Sequence, residues 1–165
     1  MPTFYTLSST CAVRTWPVND YYNSTWFWGN ILVGVLCIVL NYWTDRQRQV
    51  VRATDGQCTI WFGKPKLIHA SYIDTDGVKN RSLLLASGFW SWARHVNYLF
   101  ELMAALAWSF ATGNNGLMAY AYFLFLIVLL VHRNLRDEEK CRQKYGKFWA
   151  EYCEQVKWNI VPFVY

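Results

Sequence analysis

The sequence has few charged residues and lacks the compact cofactor motifs. Only 16% of its 165 residues are charged, against about 25% in an average soluble domain. No Gly-x-Gly-x-x-Gly and no P-loop occurs, which argues against a Rossmann or a Walker nucleotide site. The five cysteines have no Cys-x-x-Cys spacing, so we expect no metal site. No signal-peptide pattern is recognised, and the aromatic content of 19% excludes intrinsic disorder.

Two long stretches carry no charge at all, one from residue 21 to 44 and one from 102 to 131. A membrane-spanning helix needs about 20 mainly apolar residues. The first stretch has aromatic residues at both ends, which is typical of a span. The second is interrupted by Thr112-Gly-Asn-Asn-Gly116, a turn sequence that predicts a helical hairpin. Three spans are therefore expected, at about 26–43, 97–111 and 117–131.

The apolar helices also decide the fold class. A soluble helical protein with buried helices is disfavoured, because residues 31–40 and 123–131 have no polar face. The chain is too short to bury such helices in a large core. We expect an all-α membrane protein of about three transmembrane helices plus interfacial and cytosolic helices, forming one membrane domain over residues 1–165.

Basic residues predict the orientation. They cluster in the connector at 45–95 and in the tail at 132–165, which the positive-inside rule places in the cytosol. Three crossings then put the N-terminus on the far side, together with the sequon Asn23-Ser-Thr25. The sequon Asn80-Arg-Ser82 would be cytosolic and unused.

The connector also predicts local β-structure. Residues 58–62 and 67–73 are short β-like runs around Gly63-Lys-Pro65. Thr75-Asp-Gly77 is a turn sequence, so we expect a small hairpin in this region.

A first polar face is predicted if residues 87–101 are helical. Trp90, Arg94, Asn97, Tyr98 and Glu101 would then share one side of the helix. Ionisable groups at that depth usually line a cavity or pathway. Alternatively, the helix is interfacial, its arginine snorkels, and its glutamate pairs with a basic residue of another helix. The spacing leaves both interpretations open.

A second stripe is predicted along residues 132–152. Its members have helical spacing and mix charges with aromatic rings: Asp137, Cys141, Lys144, Tyr145, Phe148 and Tyr152. Arg133 lies four residues before Asp137 and can contact it. A basic helix that binds anionic lipid would need neither these carboxylates nor these rings. The pattern favours a functional site.

A basic, aromatic-rich surface next to a membrane suits a nucleotide cofactor. Arginine and lysine can bind phosphates, and aromatic rings can stack on bases. The net charge of +5 could also indicate nucleic acid. That reading is discounted because the basic residues all sit at membrane edges.

Two long motifs resemble the C-terminal signatures of the membrane sterol reductases. They are Ser87-Gly-Phe-Trp-x-x-Ala-Arg-His-x-Asn-Tyr98 and Leu130-x-His-Arg-x-x-Arg-Asp-Glu-x-x-Cys-x-x-Lys-Tyr-Gly-x-x-Trp-x-x-Tyr152. Thr54-Asp-Gly-x-Cys-x-Ile-Trp61, Pro65-Lys66 and Ala70-Ser-Tyr72 are most similar to the delta-7 branch of that family. The C14 branch more often has Gly-Trp-Trp at residues 88–90. The resemblance covers residues 5–165.

The resemblance implies reduction of the sterol C7–C8 double bond with NADPH in the endoplasmic reticulum membrane. The partners would be a sterol substrate, the lipid bilayer and other enzymes of sterol biosynthesis. Protonation of the alkene would precede hydride delivery, and Arg133 with Asp137 would form the catalytic acid-side couple. Glu101 would belong to the substrate pocket. The implied cofactor-binding residues are Arg48, Arg52, Leu85, Trp90, Arg94, Asn97, Tyr98, Asp137, Cys141, Arg142, Gln143, Lys144, Tyr145 and Tyr152.

The sequence also departs from the family pattern. Ala53 stands where an arginine usually follows Arg52, and Ser91 replaces a usual glycine. Family members carry many more membrane helices before the position that matches Tyr5, so we expect this chain to be part of a longer one. The alternatives are a truncated module that binds sterol or partners without turnover, a C14 sterol reductase, and an isoprenylcysteine methyltransferase-like enzyme.

Overall fold

The computed structural model describes Thr10 and residues 24–73, 77–111 and 117–164. Within these residues, four helices and two strands follow in order: α1 (Thr25–Ala53), β1 (Leu67–Ile73), β2 (Lys79–Leu85), α2 (Val96–Ala111), α3 (Ala121–Tyr145) and α4 (Lys147–Gln155). Short 3₁₀ turns occupy Gly88–Ser91 and Leu117–Tyr120. The expected turn at 112–116, Asn23 of the first sequon, and Thr75 and Asp76 of the connector turn lie outside the described residues.

Two helices are long and apolar enough to cross a membrane. They run over Thr25–Ala53 and Leu117–Tyr145 and contain the first and third predicted spans. Leu32, Leu36 and Ile38 each expose more than half of their surface, as expected for side chains that a bilayer would cover. The predicted second span corresponds to a shorter apolar helix, Val96–Phe110. The mostly helical fold is therefore confirmed, and two of the three predicted spans lie in helices that could cross a membrane.

The chain divides into two compact units, which are described separately. The apolar unit comprises Met1–Asn41 and Phe100–Val131, and the polar unit comprises Tyr42–Leu99 and His132–Tyr165. In the apolar unit, an added Cβ at Gly34 would lie 3.8 Å from Ala107 Cβ. Trp26 and Phe110 meet edge to face, with ring centroids 6.2 Å apart. Small residues at such contacts allow two apolar helices to approach closely.

The polar unit contains an antiparallel hairpin with its own core. β1 pairs with β2 in a register that places Ile68 opposite Leu84. Because side chains alternate between the faces of a strand, Ile68 and Leu84 share one face. This face belongs to a buried cluster with Trp149 and Tyr152 of α4. The hairpin is thus fixed against the C-terminal helix.

This hairpin is a departure from the expected all-α class. The run 67–73 is a strand as predicted, but its partner is Lys79–Leu85. The run 58–62 is not a strand. It folds into a tight turn closed by reciprocal backbone hydrogen bonds between Ile60 and Gly63. Trp61 takes a positive φ of 53° in this turn, which an extended strand does not allow.

The expectation of a continuous helix over 87–101 is wrong. Gly88 has a φ of 66°, and a Cβ there would collide with the side-chain amide of Gln47. Further along, the Arg94 N–H donates to Trp158 O at 2.9 Å and the His95 N–H to Asn159 O at 2.8 Å. These groups pair with the C-terminal segment, so α2 begins only at Val96. The shared helical face predicted for Trp90 and Tyr98 therefore does not exist.

The second predicted stripe is also split between two helices. α3 ends at Tyr145, Gly146 has a φ of 51°, and α4 begins at Lys147. A positive φ is readily adopted by glycine and turns the chain. Asp137, Cys141, Lys144 and Tyr145 keep their common face on α3, whereas Tyr152 reaches the same region from α4.

Candidate nucleotide-binding site

A cleft of about 300 Å³ opens in the polar unit between α1, β2, the 3₁₀ turn at 88–91, α3 and α4. We call it the main cleft. Its lining is rich in cations and aromatic rings and consists of Arg48, Arg52, Leu83, Leu84, Leu85, Trp90, Arg94, His95, Asp137, Lys140, Cys141, Lys144, Tyr145, Trp149 and Tyr152. The volume lies at the lower end of the range usual for small-molecule sites, about 300–1,000 Å³.

Trp90 forms one wall of the main cleft, and two contacts with α1 fix its position. Only 2% of its surface is exposed. Its indole N–H donates to Thr44 O at 3.1 Å. The Arg48 guanidinium lies over its ring, 4.6 Å from the centroid, a geometry in which the cation is attracted to the ring face. The indole thereby orients a positive charge at the cleft.

Three aromatic rings form another wall. The rings of Tyr145 and Trp149 have centroids 6.4 Å apart with an interplanar angle of 27°. Trp149 and Tyr152 are 5.2 Å apart with an angle of 39°. Burial raises the pKa of the Tyr152 phenol, so this hydroxyl stays protonated over the physiological pH range. The wall is a neutral surface on which a planar ligand ring could stack.

The net charge of the main cleft is positive. Arg48, Arg52, Lys140 and Lys144 line it together with a single carboxylate, Asp137. An anion bound among these cations gains charge-assisted hydrogen bonds, which are stronger than neutral ones. The cleft can therefore hold phosphate groups.

Arg94 lines the same cleft but is engaged within the protein. Its Nε donates to Glu138 Oε1 at 2.8 Å, and its Nη1 donates to Val156 O at 2.8 Å. Its Nη2 contacts Asn159 Oδ1. With 9% of its side chain exposed, this guanidinium ties α3 to the C-terminal segment, so its role is to shape the cleft.

Two buried polar atoms at the main cleft have no hydrogen-bond partner among the described residues. They are Trp149 Nε1 and His95 Nε2. A buried polar group without a partner costs about 1–3 kcal/mol. A polar ligand group that reached either atom would satisfy it. The cleft thus combines cations with aromatic rings, and this combination suits a phosphate-bearing ligand with a planar ring.

Asp137 stands at the centre of a small polar group beside the main cleft. The Tyr98 hydroxyl donates to Asp137 Oδ2 at 3.1 Å, and Arg133 Nε lies 3.9 Å from the same oxygen. The Arg133 guanidinium also lies over the Tyr98 ring at 5.6 Å, and the His95 ring stacks on Tyr98 at 4.9 Å. The contact between Arg133 and Asp137 that the sequence predicts is present.

The structure thus brings most of the sequence-predicted residues together. Asn97 lies in the first turn of α2, and its buried Oδ1 has no partner among the described residues. Arg142 and Gln143 are not brought to the main cleft: both side chains are exposed and contact Glu139. Glu101 is half-buried in α2 of the apolar unit. In the part of the chain that the structure describes, no cluster of His, Cys, Asp or Glu could hold a metal ion.

Sequence reasoning did not select His95, Lys140 or Trp149, although all three line the main cleft. Each had a usable signal. Lys140 follows Asp137 by three residues and so shares its helix face. His95 and Trp149 are fixed positions of the two long motifs, but neither was given a role.

These features define a helical membrane protein with a positively charged, aromatic cleft, and comparison with known proteins gives the family. The model of the Ergosterol biosynthesis ERG4/ERG24 family matches residues 3–165. The chain belongs to this family, which confirms the resemblance to the membrane sterol reductases.

Individual relatives come from two branches. The chain is 46% identical over 135 residues to the 7-dehydrocholesterol reductase of Arabidopsis thaliana, covering 82% of this chain and 31% of the relative. It is 40% identical over 137 residues to that of Danio rerio, covering 83% and 29%. It is 52% identical over 116 residues to the Delta(14)-sterol reductase TM7SF2 of Mus musculus, covering 70% and 28%. The chain thus spans less than a third of the length of these curated relatives.

Proposed function

We propose that this chain belongs to an NADPH-dependent reductase that saturates the C7–C8 double bond of a sterol, acting as part of a longer protein. The observation that carries the proposal is the main cleft, in which Arg48, Arg52 and Lys144 stand beside the rings of Trp149 and Tyr145. Two relatives named 7-dehydrocholesterol reductase match more than 80% of this chain. They support the choice of bond.

The lining fits NADPH by the chemistry of its groups. Arg48, Arg52 and Lys144 would hold phosphates, and Trp149 and Tyr145 would stack on a planar ring. The orphaned Trp149 N–H would donate to an oxygen of the ligand. When bound, NADPH supplies the hydride for the reduction.

In this proposal, Asp137 and its neighbours donate the proton that the reduction requires. Tyr98 Oη and Asp137 Oδ2 are close enough at 3.1 Å for a proton to pass between them. Arg133, at 3.9 Å from Asp137, orients this carboxyl. In our proposal the couple delivers a proton to the alkene and leaves a tertiary cation on the sterol, which is then ready to accept hydride. Asp137 also lines the main cleft, so proton and hydride sources would be neighbours.

The proposal includes a topology and a location. Three spans near 26–43, 97–111 and 117–131 would leave the connector 45–95 and the tail 132–165 on the cytosolic side of the endoplasmic reticulum membrane. The basic residues of both segments favour this orientation. The main cleft draws all of its lining residues from these same two segments, so a cytosolic cofactor could enter it.

A second candidate is reduction of the sterol C14 double bond. The match to the mouse Delta(14)-sterol reductase, which is 52% identical over 116 residues, favours it specifically. The same residues would bind the cofactor and donate the proton. Only the sterol double bond placed next to Arg133 and Asp137 would differ. A non-catalytic sterol-binding module remains the alternative from another class.

Turnover by defined fusions tests the proposal. The chain is produced in membranes alone and fused behind the preceding helices of a curated relative. NADPH-dependent loss of diene absorbance is then followed with a 5,7-diene sterol and with an 8,14-diene sterol. We expect turnover of the 5,7-diene by the fusion. Turnover of only the 8,14-diene would identify the C14 reaction, and turnover of neither would overturn the reductase assignment.

Asp137→Asn in the active fusion tests the proton couple. General acid catalysis contributes about 10²–10⁴-fold, so we expect kcat to fall at least about a hundredfold while NADPH binding changes little. The matched control is Glu151→Gln, which removes an exposed carboxylate of α4 and should leave kcat unchanged. Wild-type kcat in Asp137→Asn would remove the acid assignment.

A further inference from the structure

A second, larger cleft adjoins the main cleft along the β-hairpin. It has a volume of about 700 Å³, and we call it the hairpin cleft. It shares Arg52, Leu83, Lys144 and Tyr145 with the main cleft. A ligand that fills the main cleft can therefore extend into the hairpin cleft without leaving the protein surface.

The hairpin cleft is polar and has an excess of positive charge. Arg52, Arg81 and Lys144 line it against one carboxylate, Asp55. Ser71 and Ser82 also line it. Such a lining suits a compact anion and is unsuited to the hydrocarbon skeleton of a sterol.

The strand register places Arg81 and His69 on the same face of the hairpin. Arg81 lies directly opposite Ser71, and Leu83 lies directly opposite His69. These two pairs are neighbours on one face of the hairpin, because residues two apart in a strand share a face. Both Arg81 and His69 are exposed. Neither belongs to the residues that the family resemblance assigns to the cofactor.

Contacts around Lys144 fix the boundary between the two clefts. Its ammonium lies 3.9 Å from the centroid of the Tyr72 ring. The Tyr145 hydroxyl donates to Ser82 Oγ at 3.3 Å, which links α3 to β2. The shared wall is thus pre-ordered, and pre-ordering lowers the entropy cost of binding.

We propose that the hairpin cleft binds a phosphate monoester at the outer end of the dinucleotide, with Arg81 as the residue that selects NADPH over NADH. This inference rests on the proposed function. The two cofactors differ only by a 2′-phosphate, which carries about −1.5 to −2 charges at neutral pH. An arginine near the ribose is a common way to accommodate this group. The planar guanidinium of Arg81 can bind two phosphate oxygens at once.

Binding of nucleotide fragments tests the proposal without turnover. The whole chain in lipid nanodiscs is titrated with adenosine 2′,5′-bisphosphate and with 5′-AMP, which lacks only the 2′-phosphate. We expect the bisphosphate to bind at least about tenfold more tightly, as one charge-assisted contact implies. In Arg81→Gln this preference should disappear because bisphosphate affinity falls about tenfold, while 5′-AMP affinity is unchanged.

Lys79→Gln is the matched control. Lys79 is an exposed cation two residues from Arg81 on the same strand face and does not line the hairpin cleft. The variant should keep the wild-type preference, which separates a local contact from a change in net charge. NADPH and NADH are titrated in the same three proteins.

The outcomes separate this inference from the proposed function. Suppose that NADPH binds to the wild type. If Arg81→Gln then lowers the affinities for NADPH and NADH equally, or lowers neither, Arg81 does not recognise the 2′-phosphate and the inference is overturned. An equal loss in Lys79→Gln overturns it as well. If the wild-type chain binds neither dinucleotide, the cofactor part of the proposed function fails, and this inference fails with it.

Discussion

The two units differ in where some of their largest apolar side chains lie: several on the long helices of the apolar unit are exposed, whereas several of the polar unit are buried. Leu32, Ile38 and Val128 each expose more than 60% of their surface, while Trp90 and Tyr152 expose 2% and 5%. Water would penalise the first arrangement, and a hydrocarbon environment would remove that penalty. The polar unit instead has its own buried cluster. We infer that the apolar unit depends on its solvent and the polar unit on its internal contacts.

The largest effect is expected where the polar unit depends on one side chain. Arg94→Ala removes the partner of Glu138 and the donors to Val156 O and Asn159 Oδ1. Because Glu138 would remain poorly solvated and unpaired, we expect a loss of about 3–5 kcal/mol in the free energy of unfolding. Denaturant unfolding of the protein in detergent micelles would measure it.

Arg142→Ala is the matched control, since its pair with Glu139 is long, at 4.0 Å, and exposed. Surface pairs contribute about 0–1 kcal/mol. Equal losses in Arg94→Ala and Arg142→Ala would show that the polar unit does not depend on the Arg94 contacts.

The next effect tests the dependence of the apolar unit on lipid. Leu36→Arg places a charge at an exposed position near the middle of the first proposed span. Insertion of the span should become less favourable by about 2.5–3.5 kcal/mol. The inserted fraction, measured by resistance to alkaline extraction, should fall accordingly.

Phe62→Arg supplies the comparison in the polar unit. Phe62 is fully exposed at the tip of the turn closed by Ile60 and Gly63. We expect a change within about 0.5 kcal/mol, as for ordinary surface positions. If Leu36→Arg were tolerated as well as Phe62→Arg, exposure of the apolar unit would not reflect burial in lipid.

A smaller effect concerns the polar atoms that the polar unit leaves without partners. Trp149→Phe keeps most of the ring in the wall of the main cleft but removes the orphaned N–H. The free energy of unfolding should fall by no more than about 0.5–1 kcal/mol. Loss of a few packed atoms destabilises the fold, but removal of an unsatisfied buried donor partly offsets that loss. NADPH affinity should fall about two- to tenfold, the value of one hydrogen bond.

Titration of NADPH beside thermal unfolding separates the two effects. Trp158→Phe is the control, because Trp158 does not line the main cleft. Loss of stability without loss of affinity in Trp149→Phe would mean that the indole N–H serves the fold and not a ligand.

The two units also differ in how far the sequence predicts them. The spans follow from local composition, so charge-free stretches were sufficient to locate α1 and α3. The break after Gly88 could not be predicted in this way. It depends on Gln47 occupying the space beside Gly88 and on the C-terminal carbonyls of Trp158 and Asn159, which are distant in sequence.

Within the site, helical spacing and the family run select overlapping but different residues. Asp137, Cys141 and Lys144 lie on one face of α3, and all three line the main cleft. Arg142 and Gln143, taken from the run 141–145, point elsewhere and bind Glu139. The partner strand of β1 and the second cleft depend on pairing between segments, for which no local pattern exists.

The smallest expected effect is a pH dependence that belongs to the polar unit alone. Burial lowers the pKa of His95 below its usual range. Glu138 and Asp137 act in the opposite direction, and Arg94 and Arg48 act in the same direction as burial. The unfolded chain therefore binds a proton more readily than the folded chain once the pH falls below about 6.5.

The sign of the effect follows from this difference. Stability associated with neutral His95 is present above about pH 6.5 and is lost as the pH falls toward the lowered folded-state pKa. Unfolding of the ligand-free protein is measured at about pH 7.5 and about pH 5.5, for the wild type and for His95→Gln. We expect the wild type to lose more stability on acidification than the variant. Since His95→Gln also loses the stacking on Tyr98, only the difference between the two pH values is informative. Identical differences in both proteins would mean that His95 titrates as it does in the unfolded chain.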